Sequence, residues 1–509
     1  MARPWGLAAG AAIVLGVWLG LLAIPIAFLW LVVATGLVGH VDRRLALVIV
    51  ACMAVGLVRG MVATDLELHP AIAGSTGARI EVQSLPRPGA TGDSMVVLVQ
   101  ALEFGEESRP VTPFLVMVRL PANASAAPGD VLQVGWSATT LSVLSPGYAD
   151  YLSARGVSAN ARVWWVDEVE EGPQFYRAIV SLRNRITEEL QDVLPGDAGA
   201  LAAGIVTGDD SGLSEEARQD FLNTGTSHIT AVSGSNVAMV LALWNLVIPA
   251  GRYRRLLGVQ ILIVATIWLY AFFVGLEPSA VRAALVASLG LFAVHAGRRP
   301  DLVTLLAITA ASMVLWEPAL TRMVSFWLSV VASTAICLRI PTSGQANWRS
   351  ALRGMAEGVL LAQVATLPLI LAWFGTWSLV SVVGNLLLLP LMWLAFPLCF
   401  ILAVVVLAVP VMAPVLAVVA LVPLAVTLEI VHALAMTLPP ADFESAGPAA
   451  VVAVTVPCLL IAASLSVDAR RWRGIVATRW RTQPLLVSVT MIAPMTGIMV
   501  ALVVYLAIG

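Results

Sequence analysis

The stretch Gly204–Val240 reads GIVTGDDSGLSEEARQDFLNTGTSHITAVSGSNVAMV and joins two apolar segments through small, polar and acidic residues. Ser214 is suited to cap a helix, and Glu215 and Glu216 favour the first helical turn. Asn223-Thr224-Gly225 predicts the end of that short helix, because glycine accepts a left-handed cap. Polar groups at membrane depth are costly unless they line a cavity or pack against protein. The stretch therefore predicts either a polar lining for a substrate path or close packing of helices through small residues.

The composition indicates a polytopic α-helical membrane protein. The chain has 509 residues, of which 59% are hydrophobic and 12% charged, and its mean hydropathy is +0.90. Soluble domains are far less apolar. All 29 basic residues are arginine, so a Walker A loop, which needs a lysine, is excluded. The histidines and cysteines show no metal-ligand spacing, so neither a metal nor another cofactor is expected.

Apolar segments predict about 11–13 transmembrane helices of about 20 residues each. Arginine-rich loops recur with a parity that predicts a cytoplasmic amino terminus and an external carboxyl terminus. The expected regions are transmembrane helices in 1–63, an extracytoplasmic OB-like β domain in 64–172, an amphipathic linker helix in 173–200, a transmembrane core in 201–440 and further transmembrane helices in 441–509.

The region 64–172 carries short β-branched runs between glycine and proline turns, at Arg79–Gln83, Met95–Leu102, Phe114–Leu120, Val131–Trp136 and Val157–Val166. This spacing is typical of a small Greek-key barrel of the OB type or of a small sandwich. Between Asp65 and Glu171, 13 Asp and Glu stand against 6 Arg, so the domain repels phosphates on average. Its aromatic residues, which could stack on nucleic-acid bases or fill a barrel core, are Trp136, Tyr148, Tyr151, Trp164 and Trp165.

The linker segment Phe175–Val193 has the periodicity of an amphipathic helix. Its apolar residues recur at spacings of three and four, at Ile179, Leu182, Ile186, Leu190 and Val193. The arginines of the segment, Arg177, Arg183 and Arg185, are expected on the other faces. Such a helix lies at the outer membrane interface or packs between domains.

Within the Gly204–Val240 stretch, the candidates for a path through the membrane are Asp209, His228, Ser233 and Asn236. A second group holds Tyr270 and Arg282. A cation inside an apolar segment needs a carboxylate, backbone carbonyls or an anionic substrate. Glu277 is a candidate carboxylate for Arg282, but residues five apart on a helix do not share a face.

A third group pairs two amides inside apolar segments, Gln363 and Asn385, with the nearby prolines Pro368 and Pro390. Broken helices beside amides are typical of a transport path. They are equally typical of ordinary helix kinks.

Several ordered motifs resemble the membrane core of the ComEC-type competence proteins: GDDSGLSEEARQDFLNTGTSHITAVSGSNVAMV, YAFFVGLEPSAVRAA, GRRPD, WEPAL, FWLSVVAS, QVATLPL, WFGTWS and GNLLLLP. The segment SPGYADYLSARGVSANARV resembles the end of their extracytoplasmic domain, and the likeness covers about Asp65 to Pro390. It implies a competence-type channel in the cytoplasmic membrane that carries single-stranded DNA during natural transformation, with the candidate residues along its DNA path. It also implies an external DNA receptor and a cytoplasmic motor as partners, and it leaves a homo-oligomer open.

The sequence departs from this family in two places. Asn236 stands where members commonly have histidine, which keeps hydrogen bonding but removes a titratable group. The HxHxDH motif of the metallo-β-lactamase-like domain that many members carry is absent, so a separate nuclease is expected if one is needed.

Two other functions stay open. Ala231-Val232-Ser233-Gly234 is similar to the GxSG of rhomboid proteases, with alanine in place of the first glycine, so an intramembrane serine hydrolase would use Ser233 with a histidine such as His295. A small-molecule transporter would need carboxylates at mid-membrane, for which Glu357 and Glu429 are candidates. Sequence shows neither a positioned base nor an oxyanion hole, so an enzyme is not expected.

Overall fold

The computed structural model describes residues 72 and 74–437, apart from 88–91, 106, 122–123, 125, 145–148, 150–151, 154, 231, 233, 249–255, 299–301, 340–347 and 379, and it also describes 441–442. The transmembrane helices expected in 1–63 and nearly all of the region 441–509 lie outside the described residues. The described residues fall into two compact units. One is formed by Asp65–Ala287 with Leu388–Ala435, and the other includes Ser288–Leu387.

The first unit begins with a closed five-stranded barrel. Its strands are β1 (Gly77–Val82), β2 (Ser94–Phe104), β3 (Glu107–Arg119), β4 (Val131–Thr140) and β5 (Val157–Glu170). They follow one another around the barrel in the order β1-β2-β3-β5-β4, and β1 pairs with β4 to close it. Only β3 and β5 run parallel among these pairs. The OB-like Greek-key barrel is therefore confirmed, and the sandwich alternative does not apply.

The barrel core is filled by the inward-facing residues of all five strands, in line with their alternating burial. Trp136 on β4 is 0% exposed, and its indole N–H donates to Ser75 Oγ at 3.1 Å. Trp136 is thus a core residue, and its prediction as a base-stacking residue is corrected because neither face of the ring meets solvent. Trp164 and Trp165 on β5 are instead 58% and 51% exposed. Tyr148 and Tyr151 lie outside the described residues.

The linker forms helix α1 (Gln174–Val193), which is amphipathic as predicted. It packs against α2 (Gly196–Thr207), a helix that crosses the expected boundary at residue 200. Arg183 is buried on the packed face together with Ile179, Ile186 and Leu190, whereas Leu182 is exposed. The expected position of Arg183 is corrected, because residue 183 lies four positions after 179 and so shares its face. The packing favours the alternative in which this helix lies between structural elements.

The remaining helices of the first unit lie in two parts of the chain, one directly after α2 and one in Leu388–Ala435. Helix α3 (Glu215–Asn223) confirms the prediction from its caps: the Ser214 side chain accepts from the Ala217 N–H, and Gly225 has a φ of 65°. The other elements are α4 (Gly234–Val247), α5 (Leu257–Phe273) and α11 (Ala413–Ala435), the last packed against α1, α2 and α3. Two further helices are divided between the units: α6 (Pro278–His295) belongs to this unit up to Ala287, and α10 (Val380–Ala408) belongs to it from Leu388.

The unit that includes Ser288–Leu387 contains α7 (Leu302–Trp316), α8 (Val324–Arg339) and α9 (Trp348–Phe374). Helices α8 and α9 pack against each other. A two-stranded sheet follows, in which β6 (Thr376–Trp377) pairs with β7 (Ala441–Asp442). This sheet is not predictable from the sequence, because two-residue strands carry no periodicity.

Four helices in the described part of the chain are long and apolar enough to cross a membrane, within Pro278–His295, Gly354–Leu371, Val380–Ala408 and Pro410–Ala435. Shorter apolar helices cover Gly234–Trp244, Leu257–Phe273, Leu302–Trp316 and Val324–Cys337. Together with the barrel they form a polytopic membrane protein with a small β domain on its amino-terminal side. The total of 11–13 spans stays a prediction.

Candidate functional site

The Gly204–Val240 stretch folds back on itself and packs the end of α2 against the start of α4. We call this stretch the turn. Gly208 has a φ of 79° and ends α2, with its N–H donating to the Gly204 carbonyl at 3.0 Å. A Cβ added to Gly204 would lie 2.4 Å from the Thr230 carbonyl oxygen. Only glycine allows the two backbones to approach so closely.

The two aspartates of this turn bind its own backbone and side chains. Asp209 is buried and accepts from the Ser211 N–H at 3.1 Å and from Ser211 Oγ at 2.6 Å. Asp210 accepts from Thr230 Oγ1 at 2.9 Å, while Arg218 donates to the Asp210 carbonyl at 3.0 Å. A cavity of about 200 Å³ lies behind these contacts, lined by Asp210, Leu213, Arg218, Phe221, Leu222, Ser227 and Thr230. Both carboxylates therefore stabilise the turn through contacts with its own residues.

Asn236 lies on the first turn of α4 and is buried. Its Nδ2 donates to the Ile205 carbonyl at 3.0 Å. That carbonyl belongs to the last turn of α2, where no further helical N–H follows to bind it. Asn236 therefore satisfies an end of α2 as well as starting α4. The Asn236 amide also lies beside the Tyr270 hydroxyl, which is buried and meets no partner of normal hydrogen-bond geometry among the described residues.

Arg282 lies on α6 and is 9% exposed. A Cβ placed on Gly234 would lie 2.7 Å from Arg282 Nη2 and 3.3 Å from the Ser279 carbonyl oxygen. Ser279 Oγ donates to the Val232 carbonyl at 3.3 Å, so the start of α6 packs directly on the start of α4. The N–H groups at the start of a helix carry partial positive charge. A buried cation and a helix amino terminus thus meet at one point of the turn.

His228 lies on a short 3-10 helix, Ser227–Ile229, and is exposed. Ser233 lies outside the described residues, so the geometry of a hydrolase site is not tested. The structure therefore brings Asn236, Tyr270 and Arg282 together around the start of α4. Asp209 lies in the loop that follows α2 and precedes α3.

The third group, in the other unit, converges on one serine. Gln363 on α9 donates to the Ser381 carbonyl at 3.3 Å, and Asn385 on α10 donates to the same oxygen at 2.8 Å. The neighbouring Ser378 hydroxyl is buried and has no partner within the described part of the chain. Helix α9 continues through Pro368, and helix α10 continues through Pro390. The two amides therefore share one acceptor, the Ser381 carbonyl in the first turn of α10.

Glu277 lies in contact with the barrel domain. Its carboxylate pairs with two arginines of the barrel domain, with Arg87 in a short contact and with Arg155 at 3.9 Å. The sequence offered no signal for this pairing, because Arg87 and Glu277 are 190 residues apart.

Arg183 and Asp93 lie near these charges. Arg183 donates to the Pro86 carbonyl at 2.9 Å. Burial lowers the pKa of Arg183, against the opposing effect of Asp209 and Asp93. Burial also raises the pKa of Asp93, with a further contribution from Asp209.

A family model described as competence protein matches residues 205–470, just over half of the chain. The chain belongs to the competence protein family. The matched region begins at the α2 residue whose carbonyl Asn236 binds, and it contains the described members of all three candidate groups. This confirms the expected ComEC-type family.

Two curated relatives are similar to part of the chain. ComE operon protein 3 of Bacillus subtilis (strain 168) is 26% identical over 244 residues, which are 48% of this chain and 31% of that protein. The uncharacterized protein YcaI of Escherichia coli (strain K12) is 27% identical over 225 residues, 42% of this chain and 30% of that protein. The match thus spans about a third of each relative's length. No solved structure matches significantly.

Proposed function

We propose that the protein is the channel component that moves one strand of DNA across the cytoplasmic membrane during competence. The observation that carries this proposal is the competence-family match over residues 205–470. Apolar helices long enough to cross a membrane accompany it. The family match supports a role in competence DNA uptake, and we extend the proposal to transport of the strand without catalysis by this chain.

The electrostatics of the turn support an anionic substrate. Arg282 is a buried cation at the start of α4, where helix N–H groups also favour negative charge. The phosphate backbone of DNA is the anion that such a point would attract. Asn236 binds the Ile205 carbonyl and Asp209 binds Ser211, so we assign these two residues to shaping the path. We assign contact with the DNA to Arg282, because its charge attracts phosphates, and to His228, because it is exposed.

The barrel provides weaker support for the proposal, because its excess of acidic residues repels the phosphates of DNA. Trp164 and Trp165 are its exposed tryptophans and replace Trp136 as candidates for base stacking. We further propose that the barrel lies outside the cytoplasmic membrane, that an external receptor delivers the DNA and that a cytoplasmic motor draws it in. A separate nuclease would remove the other strand.

The experiment that tests the proposal is DNA uptake in a naturally competent host. Deleting the gene should abolish the arrival of labelled, nuclease-protected DNA in the cytoplasm while DNA binding at the cell surface survives. Complementation with the wild-type gene should restore arrival. Unchanged arrival after deletion would overturn the proposed function.

The Arg282→Gln and Ser233→Ala variants separate the channel from the hydrolase. At normal membrane levels, Arg282→Gln should lower uptake about tenfold or more, since a charge-assisted contact contributes roughly 1.5–3 kcal/mol. Ser233→Ala should leave uptake close to wild type. Full loss with Ser233→Ala would support the hydrolase instead.

A further inference from the structure

The turn between α5 and α6 combines an unusual backbone with contacts from the barrel. Gly275 and Leu276 both have positive φ, 93° and 53°, and Leu276 is the one non-glycine residue with positive φ in the described part of the chain. A branched side chain is strained in this conformation. Such residues persist where the surrounding structure holds them. Leu85 of the barrel domain lies against Gly275.

The next residue, Glu277, receives the two barrel arginines. We call Arg87, Arg155 and Glu277 the Glu277 cluster. All three side chains are partly buried, which strengthens their attraction relative to a surface pair. Two of only six arginines between Asp65 and Glu171 are thus directed at one carboxylate outside the barrel. The barrel is therefore attached to the helices through opposite charges although its own charge is acidic.

Glu277 leads directly into the part of α6 that contacts the start of α4. Its carbonyl accepts the Val281 N–H at 2.9 Å, so it forms the start of α6. Two residues later Ser279 binds the Val232 carbonyl, and five residues later Arg282 meets Gly234. A shift of Glu277 would therefore move both contacts between α6 and α4.

We propose that Arg87 and Arg155 hold Glu277 and thereby position α6, so that Arg282 stays over the start of α4. The three residues of the Glu277 cluster are thus positioning residues for DNA uptake. The part of this inference that concerns uptake rests on the proposed function. The barrel then serves as a brace for the path, independently of whether it binds DNA itself.

Two measurements on the full-length protein test the proposal. The variants are Glu277→Gln, Arg87→Gln and the charge-preserving Arg87→Lys. The matched control is Glu170→Gln, which breaks the exposed pair of Glu170 with Arg79 on the barrel surface. In purified protein, hydrogen exchange of the peptide covering residues 270–286 should accelerate at least threefold in Glu277→Gln and Arg87→Gln. It should stay at the wild-type rate in Glu170→Gln and near that rate in Arg87→Lys.

In competent cells, Glu277→Gln and Arg87→Gln should lower uptake about tenfold at matched membrane levels, whereas Arg87→Lys and Glu170→Gln should not. Wild-type exchange in Glu277→Gln would overturn the positioning role. Faster exchange with full uptake would overturn its importance for transport. Accelerated exchange of the β2–β3 hairpin would show an unfolded barrel and would count against the proposal, since the cluster would then hold the barrel's own fold. Unchanged uptake after gene deletion would remove the proposed function while leaving the exchange result intact.

Discussion

Replacing Asn236 by alanine tests whether this residue holds the turn together. The change removes the donor to the Ile205 carbonyl at 3.0 Å and leaves that oxygen buried at the end of α2. A buried polar group without its partner costs about 1–3 kcal/mol. A loss of this size lowers the melting temperature by about 2–4 °C per kcal/mol in a domain of roughly 200 residues. We therefore expect a decrease of several degrees in detergent-solubilised protein.

Three further variants make this test specific. Asn236→Asp keeps the shape but removes the donor and adds a buried charge, so it should be less stable than Asn236→Ala. Asn236→His keeps an N–H donor and should retain part of the stability. Gln260→Met is the control, because Gln260 is a buried amide whose Nε2 has no partner among the residues that the structure describes. Removing it should be neutral or stabilising.

The result that would refute this reasoning is a shared melting temperature. If Asn236→Ala, Gln260→Met and the wild type unfold together, the Asn236 contact does not stabilise the end of α2. Asn236 would then be free to act on the substrate directly.

Three other predictions concern the same unit. Gly204→Ala should destabilise the protein by about 1–3 kcal/mol through overpacking against the Thr230 carbonyl, whereas Gly258→Ala, where an added Cβ meets no atom within 4 Å, should be neutral or stabilising in thermal unfolding. Asp220→Asn should weaken the 2.7 Å contact with His432 that joins α3 to α11, and hydrogen exchange of α3 should accelerate; an unchanged rate would contradict that contact. The raised pKa of Asp93 means that this carboxyl binds its proton more tightly in the folded state than in the unfolded state. The contribution of Asp93 to the free energy of unfolding therefore decreases as the pH rises from about 4. Asp93→Asn should flatten this part of the stability profile, and an unaltered profile between pH 4 and 7 would contradict the assignment.

Local signals in the sequence were sufficient for the barrel strands and for α3. Alternating burial defines a strand within a few residues, and a serine cap with a terminal glycine defines a short helix. The sequence predicts Arg183 on an outer face of the linker helix, because a charged side chain is costly to bury, but the structure places it on the packed face. In the structure the Pro86 carbonyl and nearby carboxylates accommodate the buried guanidinium.

Contacts between distant parts of the chain could not be predicted from spacing. The pairing of Glu277 with Arg87 joins the barrel domain to the start of α6, and only the folded chain brings them together. Trp136 illustrates a second limit, since an aromatic residue on a strand has the same pattern whether its ring fills the core or faces solvent. Register decides between the two, and it is set by the whole sheet.

The most direct test of the DNA path is site-specific cross-linking during uptake. A photoreactive residue would replace the exposed His228 or Ser235, the exposed residue of α4 that lies between Gly234 and Asn236. The control position would be Leu269, an exposed residue of the apolar helix α5. The proposed path predicts that incoming single-stranded DNA becomes cross-linked at 228 and 235 and not at 269. Cross-links absent at 228 and 235 in cells that still take up DNA would contradict the path.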